Sequence, residues 1–104
     1  MAVETLNDES FKKTLEENDK VAVMYFADWC GSCRLFKPKF RRLSEDERFE
    51  GVKFVNINAE QNPDARHTAR VDNLPFFAMF KTGEKQDGKA TNKEEAVVDM
   101  LSSI

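Results

Sequence analysis

The chain has 104 residues, 40% of them apolar, with nine Phe and a formal net charge of −3. That length reads as one domain, residues 1–104, able to bury roughly 65% of its unfolded surface. The acidic balance argues against a nucleic-acid binder, and no apolar run approaches the ~20 residues that span a bilayer.

In chain order, residues 3–6 read as a short strand. Asn7 or Asp8 can cap a helix over about 8–17, with Phe11 and Leu15 on one face. Residues 20–27 are uncharged after Lys20 and do not alternate, as expected of a central parallel strand buried on both sides. A second helix is predicted from about Cys30 to about Phe49, its apolar stripe Leu35, Phe36, Phe40 and Leu43. Pro38 inside it is expected to kink the helix or break its hydrogen bonding.

Residues 52–58 form the next predicted strand. Asn62-Pro63 reads as an N-cap followed by proline at the first helical position, and that helix is expected to end near Arg70. A third long strand covers 76–80. Lys81-Thr82-Gly83-Glu84 signals a turn, and 85–89 a short polar edge strand. Thr91 with Glu94, or Asn92 with Glu95, can form a capping box for a last helix whose core face is Ala96, Val97, Met100, Leu101 and Ile104. Strands alternating with helices, closed by a hairpin, imply an α/β fold: a three-layer sandwich around a mixed sheet.

Cys30-Gly31-Ser32-Cys33 holds the only two cysteines. They follow the buried strand and open a helix, where a close pair of thiols can carry dithiol–disulfide chemistry. Two readings compete with redox activity. The thiols could be an inert reduced pair, or half of a metal site; zinc usually takes four Cys or His ligands, and the one histidine, His67, falls on another predicted helix. The N-terminus, Met1-Ala2-Val3-Glu4, lacks a basic stretch leading into an apolar one, so no secretion signal is read and a cytoplasmic location is expected. In a reducing compartment such a pair is catalytic, redox-sensing or metal-binding.

Trp29-Cys30-Gly31-Ser32-Cys33 after an apolar strand resembles the active site of the thioredoxin family. Pro38 five residues on, Leu74-Pro75 before a strand, and Phe80-Lys81-Thr82-Gly83 after it extend the resemblance across the chain. It implies a five-stranded sheet flanked by four helices, and a protein that reduces, forms or shuffles protein disulfides. Cys30 is then the nucleophile at the helix N-terminus, where backbone N–H groups and the dipole stabilise a thiolate. A cysteine so placed can titrate near about 7 or lower. Cys33, one turn inward, resolves the mixed disulfide. The resemblance also implies a cis Leu74-Pro75 bond close to Cys30, with the Leu74 backbone open to an added substrate strand. Trp29 offers apolar contact to substrate, and Gly31 and Ser32 complete the expected substrate-binding set.

The chain departs from the family pattern at several positions. Ser32 stands where proline is usual, Met24 where a buried aspartate is usual, Asn56 where a lysine often accompanies it, and Phe76 where threonine follows the second motif proline. The glycine expected near Ala90-Thr91 is missing. Serine restores an N–H and adds a hydroxyl, which implies a more oxidising couple than a proline variant. A methionine cannot move protons, so Cys33 relies on water and slower turnover is expected. Arg34 and Lys37 flank the motif and could favour acidic partners; a solvated helix face accounts for them equally well.

The leading expectation is a monomeric protein-disulfide reductase acting on disulfide-containing proteins. It needs an electron donor of the thioredoxin-reductase type, a flavoenzyme, and no bound cofactor or metal of its own. The alternatives are a more oxidising disulfide oxidase or isomerase, and a binding module whose thiols act as a redox latch.

Overall fold

The computed structural model describes residues 3–104; Met1 and Ala2, which enter the signal-peptide reading, lie outside them. Among the described residues five strands form one sheet in the order β1-β3-β2-β4-β5. They are β1 (Glu4–Leu6), β2 (Lys20–Phe26), β3 (Val52–Asn58), β4 (Phe76–Lys81) and β5 (Glu84–Ala90). β1 and β2 run parallel to β3, while β4 is antiparallel to both β2 and β5. The helices are α1 (Asp8–Glu17), α2 (Gly31–Ser44), α3 (Pro63–Ala69) and α4 (Glu94–Ser102). This is the three-layer mixed-sheet architecture expected from the element order.

The central position of β2 explains its uninterrupted apolar run. Val21, Ala22, Val23, Met24 and Tyr25 are all fully buried, because both faces of the strand are covered. Side chains alternate across the sheet. Ala22, Met24 and Phe26 join the core under α2 and α4, with Phe36, Phe40, Phe77 and Leu101. Val21, Val23 and Tyr25 join the core under α1 and α3, with Phe11, Ala65 and Ala69. Tyr25 Oη donates to the Ala65 carbonyl at 2.9 Å, and burial drives its phenol above the ordinary tyrosine range.

The turn between β4 and β5 is a two-residue loop, with φ of 53° at Thr82 and 80° at Gly83. Two successive positive φ angles match the twist of a hairpin. Threonine resists that conformation, and Asp19 holds it: Thr82 N donates to the Asp19 carbonyl at 2.7 Å, and Thr82 Oγ1 to Asp19 Oδ1 at 3.0 Å. β5 is largely exposed, as an edge strand rich in charge should be.

Several helix ends differ from expectation. α2 stops at Ser44, not near Phe49. Glu45 N and Asp46 N bond to the carbonyls three residues back, and Asp46 Oδ1 accepts from Arg48 N at 2.9 Å. A separate 3-10 turn, Glu47–Phe49, begins there. The same Arg48 contacts hold the Asp46 carboxyl below its usual range. The helical backbone of α2 continues through Pro38. α4 has Lys93 as its N-cap with no side-chain cap bond, so neither proposed capping box forms. Thr91 Oγ1 instead accepts from Lys93 N at 3.1 Å, a local turn that competes with the cap.

α3 begins at Pro63 as predicted, but Asn62 does not cap it. Asn62 is turned to α1, where its Oδ1 accepts from Asp8 N at 2.9 Å. Asp8 supplies the missing cap: its carboxylate accepts from Ala65 N at 2.8 Å and Asp64 N at 3.3 Å. At the other end, Lys85 Nζ donates to the Ala69 carbonyl at 2.7 Å. A seven-residue helix is too short to hold itself, so its ends are tied by distant residues. Replacing Asp8 by alanine is expected to cost roughly 1–2 kcal/mol, read as a lower urea midpoint at unchanged slope. A midpoint equal to wild type would show that the cap contributes nothing.

Candidate active site

Cys30 is the N-cap of α2, with extended backbone at φ −84° and ψ 102°. Its Sγ accepts from Cys33 N at 3.2 Å, so the helix points an N–H group at this sulfur. Cys30 and Cys33 are joined as a disulfide, with Cα atoms 5.3 Å apart. This closes a small ring at the helix start. The two sulfurs are thus within bonding reach of each other, as local dithiol–disulfide exchange requires. Cys30 is 6% exposed and Cys33 1%, so the expected order holds, although even the outer cysteine is largely covered in the bonded state. The loop before them is fixed by Cys30 N donating to the Ala27 carbonyl at 3.1 Å.

Trp29 is 68% exposed, as expected of a contact residue. Its Nε1 donates to Glu60 Oε2 at 2.6 Å. Glu60 follows β3 in a turn organised by Asn58, whose Oδ1 accepts from Glu60 N and Gln61 N at 3.0 and 3.2 Å. Nothing in the sequence marks Glu60 as a partner of a residue 31 positions earlier.

The structure brings the other predicted site residues together. The Leu74-Pro75 bond is cis. Ser32, Leu74 and Pro75 share a groove of about 230 Å³ with Asn73 and Asn92. Pro75 is buried, and its carbonyl accepts from Thr91 N at 3.1 Å, tying this loop to the start of the α4 segment. Leu74 N donates to Asn73 Oδ1 at 2.9 Å. Gly31 is exposed, and a Cβ there would meet nothing within 4 Å.

Leu35 corrects the predicted core stripe. It is 74% exposed, while Cys33, Phe36, Phe40 and Leu43 form the buried face of α2. The last three lie at helical spacing from Cys33. Leu35 is out of phase with them, a signal available once Cys33 is counted as an apolar core residue. It lines a small recess with Ser32 and Asn92, and so adds apolar surface beside Ser32.

Met24 is fully buried in the same core as both cysteines, and its Cα partner on β3 is Asn56. Neither side chain can ionise. Asn56 Oδ1 is buried without a protein hydrogen-bond partner. Phe76, the other departure near the groove, is buried on the opposite face, edge-on to Tyr25 at 6.2 Å. It fills core and does not narrow the groove. His67 is exposed on α3, and the described residues contain no group of three or more His, Cys, Asp or Glu placed to hold a metal.

A family model described as Thioredoxin matches residues 2–103. A thioredoxin of Rickettsia felis is 33% identical over 99 residues, covering 93% of each chain. Thioredoxin-2 of Pyricularia oryzae is 36% identical over 81 residues, 78% of this chain and 46% of that relative. Among solved structures, a Schistosoma mansoni thioredoxin superposes with a TM-score of 0.89 at 27% identity, covering 99% of this chain and 95% of that one.

Proposed function

On the premise that this chain belongs to the thioredoxin family, we propose that it is a thiol–disulfide oxidoreductase that reduces protein disulfides. One observation carries this reading: the Cys30–Cys33 disulfide lies at the N-terminus of α2, with the Cys33 N–H directed at Cys30 Sγ. In the reduced protein that N–H and the helix dipole stabilise a Cys30 thiolate. The thiolate attacks one sulfur of the substrate disulfide and the other leaves as a thiolate. Cys33 then loses its proton and attacks Cys30 Sγ, releasing the second substrate thiolate. The protein is left oxidised, with the disulfide seen here, and two electrons from a dithiol donor restore it.

The surface around Cys30 supports a protein substrate. Trp29 and Leu35 are the exposed large apolar side chains of the described residues; Trp29 adjoins Cys30 in the chain, and Leu35 lines a recess with Ser32. The groove beside Ser32 runs along Leu74 and Pro75, where an extended chain can add as a strand. Such a strand takes over the Leu74 N–H now bonded to Asn73. The donor in this reading is a flavoenzyme of the thioredoxin-reductase type. In this reading the protein acts as a monomer in the cytoplasm: its two cysteines are joined to each other and leave no thiol for a bond between chains.

Insulin reduction with dithiothreitol or a reductase as donor tests the reading. Turnover well above the dithiol background is expected. A rate equal to background would support a redox-latched binding module instead.

Ser32 favours the more oxidising end of the family's range. It is exposed at the second residue of α2, where the backbone N–H has no intrahelical acceptor. Both that N–H and its hydroxyl can stabilise a neighbouring thiolate. Ser32→Pro is expected to lower the reduction potential by about 30 mV, tenfold in the equilibrium with glutathione. An unchanged or higher potential would sink this role for the serine.

A further inference from the structure

A second recess reaches both cysteines and shares no lining residue with the Leu74–Pro75 groove. Its volume is about 300 Å³, and Phe26, Asp28, Cys30, Cys33, Arg34 and Lys37 line it. Lys37 lies four residues after Cys33, hence on the same side of α2. Its Nζ sits 4.3 Å from the centroid of the Phe26 ring, which is 8% exposed. A cation–π contact of this kind holds an ammonium over an aromatic face. Arg34 is held at the rim, its guanidinium donating to the Asp28 carbonyl at 3.3 Å.

Few charges reach this space. Asp28 comes from the loop, and Arg34 and Lys37 from α2. On this face β2 presents Ala22, Met24 and Phe26, β4 presents Phe77 and Met79, and α4 presents Val97, Met100 and Leu101. β3 presents Phe54, Asn56 and Asn58, as its alternation requires. None of these can ionise, so two cations and one carboxylate make the recess net positive.

Building on the reading above, we infer that Lys37 is a positioning residue for the resolving step, stabilising the Cys33 thiolate from within this recess. In that step the Cys33 S–H passes its proton to water in the recess. The resulting thiolate attacks Cys30 Sγ, the Cys30–substrate S–S bond breaks, and the substrate thiolate leaves with the electron pair and takes a proton from solvent. Lys37 neither gives nor receives the proton. Its positive charge lowers the cost of the transient anion, a task that falls to a cation because Met24 offers no base.

The test isolates Cys33 in a Cys30→Ser background and follows its thiolate by ultraviolet absorbance and by alkylation rate against pH. A cation close to an acid shifts its titration by about 1–3 pH units, and an exposed ammonium is screened below that. Lys37→Met is therefore expected to raise the Cys33 midpoint by about half a pH unit and to slow alkylation at neutral pH about threefold. Lys37→Arg should restore both, and about 1 M salt should shrink the difference. Lys37→Gln repeats the measurement with a polar neutral side chain, should the methionine variant fold poorly. An unchanged midpoint in the neutral variants, or an equal rise in Lys37→Arg, overturns the inference. The titration requires no turnover, so loss of insulin reduction in the wild type would count against the function alone.

Discussion

Cys30→Ser is expected to reduce insulin disulfides no faster than the dithiol background, while Cys33→Ser is expected to stall as a covalent adduct. Both follow from the asymmetry of the pair. Cys30 caps α2 and is the less covered cysteine, at 6% exposure against 1% for Cys33. Without it no thiolate can reach a protein disulfide, and Cys33 lies beneath the surface. Without Cys33 the first attack still proceeds, but nothing attacks the mixed disulfide from inside. The adduct appears in non-reducing mass spectrometry as the variant plus one substrate chain, and a reducing agent removes it. If Cys30→Ser trapped substrate and Cys33→Ser did not, the roles would have to be exchanged.

Phe77→Ala should produce the largest loss of stability. Phe77 is fully buried on β4. Its ring lies 4.7 Å from Phe36 and 5.6 Å from Phe40, centroid to centroid, and Phe40 in turn lies 5.1 Å from Phe54. These rings join α2 to the sheet, directly below the helix that carries Cys33. Truncation removes the buried ring and leaves a cavity that rigid neighbours on both sides cannot fill, at about 3–5 kcal/mol. Domains of this kind hold only about 5–15 kcal/mol in total, so the variant should unfold at a much lower urea concentration. A loss under about 1.5 kcal/mol would mean that α2 can settle into the gap. Asp8→Ala should have a smaller effect, and the two losses should add, because the sites lie on opposite faces of the sheet.

The helix-end expectations show where sequence reading falls short. Asn62-Pro63 marked the start of α3, yet the side chain that caps it belongs to Asp8, more than fifty positions earlier. Asn62 was the correct residue at the correct place with the wrong partner, because its carboxamide is drawn to the backbone of Asp8 and Asn58. The α2 stripe failed differently. Leu35 is as apolar as its neighbours, but helical phase, not hydrophobicity, decides which side chains face the sheet. The end of α2 was missed because Asp46 can cap a new turn as well as continue an old one.

By itself the sequence determined the alternation of strands and helices, the double burial of β2, the hairpin at Thr82-Gly83, and the placing of two thiols at the start of a helix. All of these rest on patterns repeating within a few residues, set by local backbone geometry and the separation of apolar from polar side chains. The tertiary structure alone decided that Trp29 meets Glu60, that Ser32 shares a groove with Leu74 and Pro75, and that Leu35 faces solvent. It also decided that Lys37 sits over Phe26 in the recess that reaches Cys33. These contacts join segments whose approach is fixed by how the helices pack on the twisted sheet, and no short-range pattern in the chain encodes that geometry.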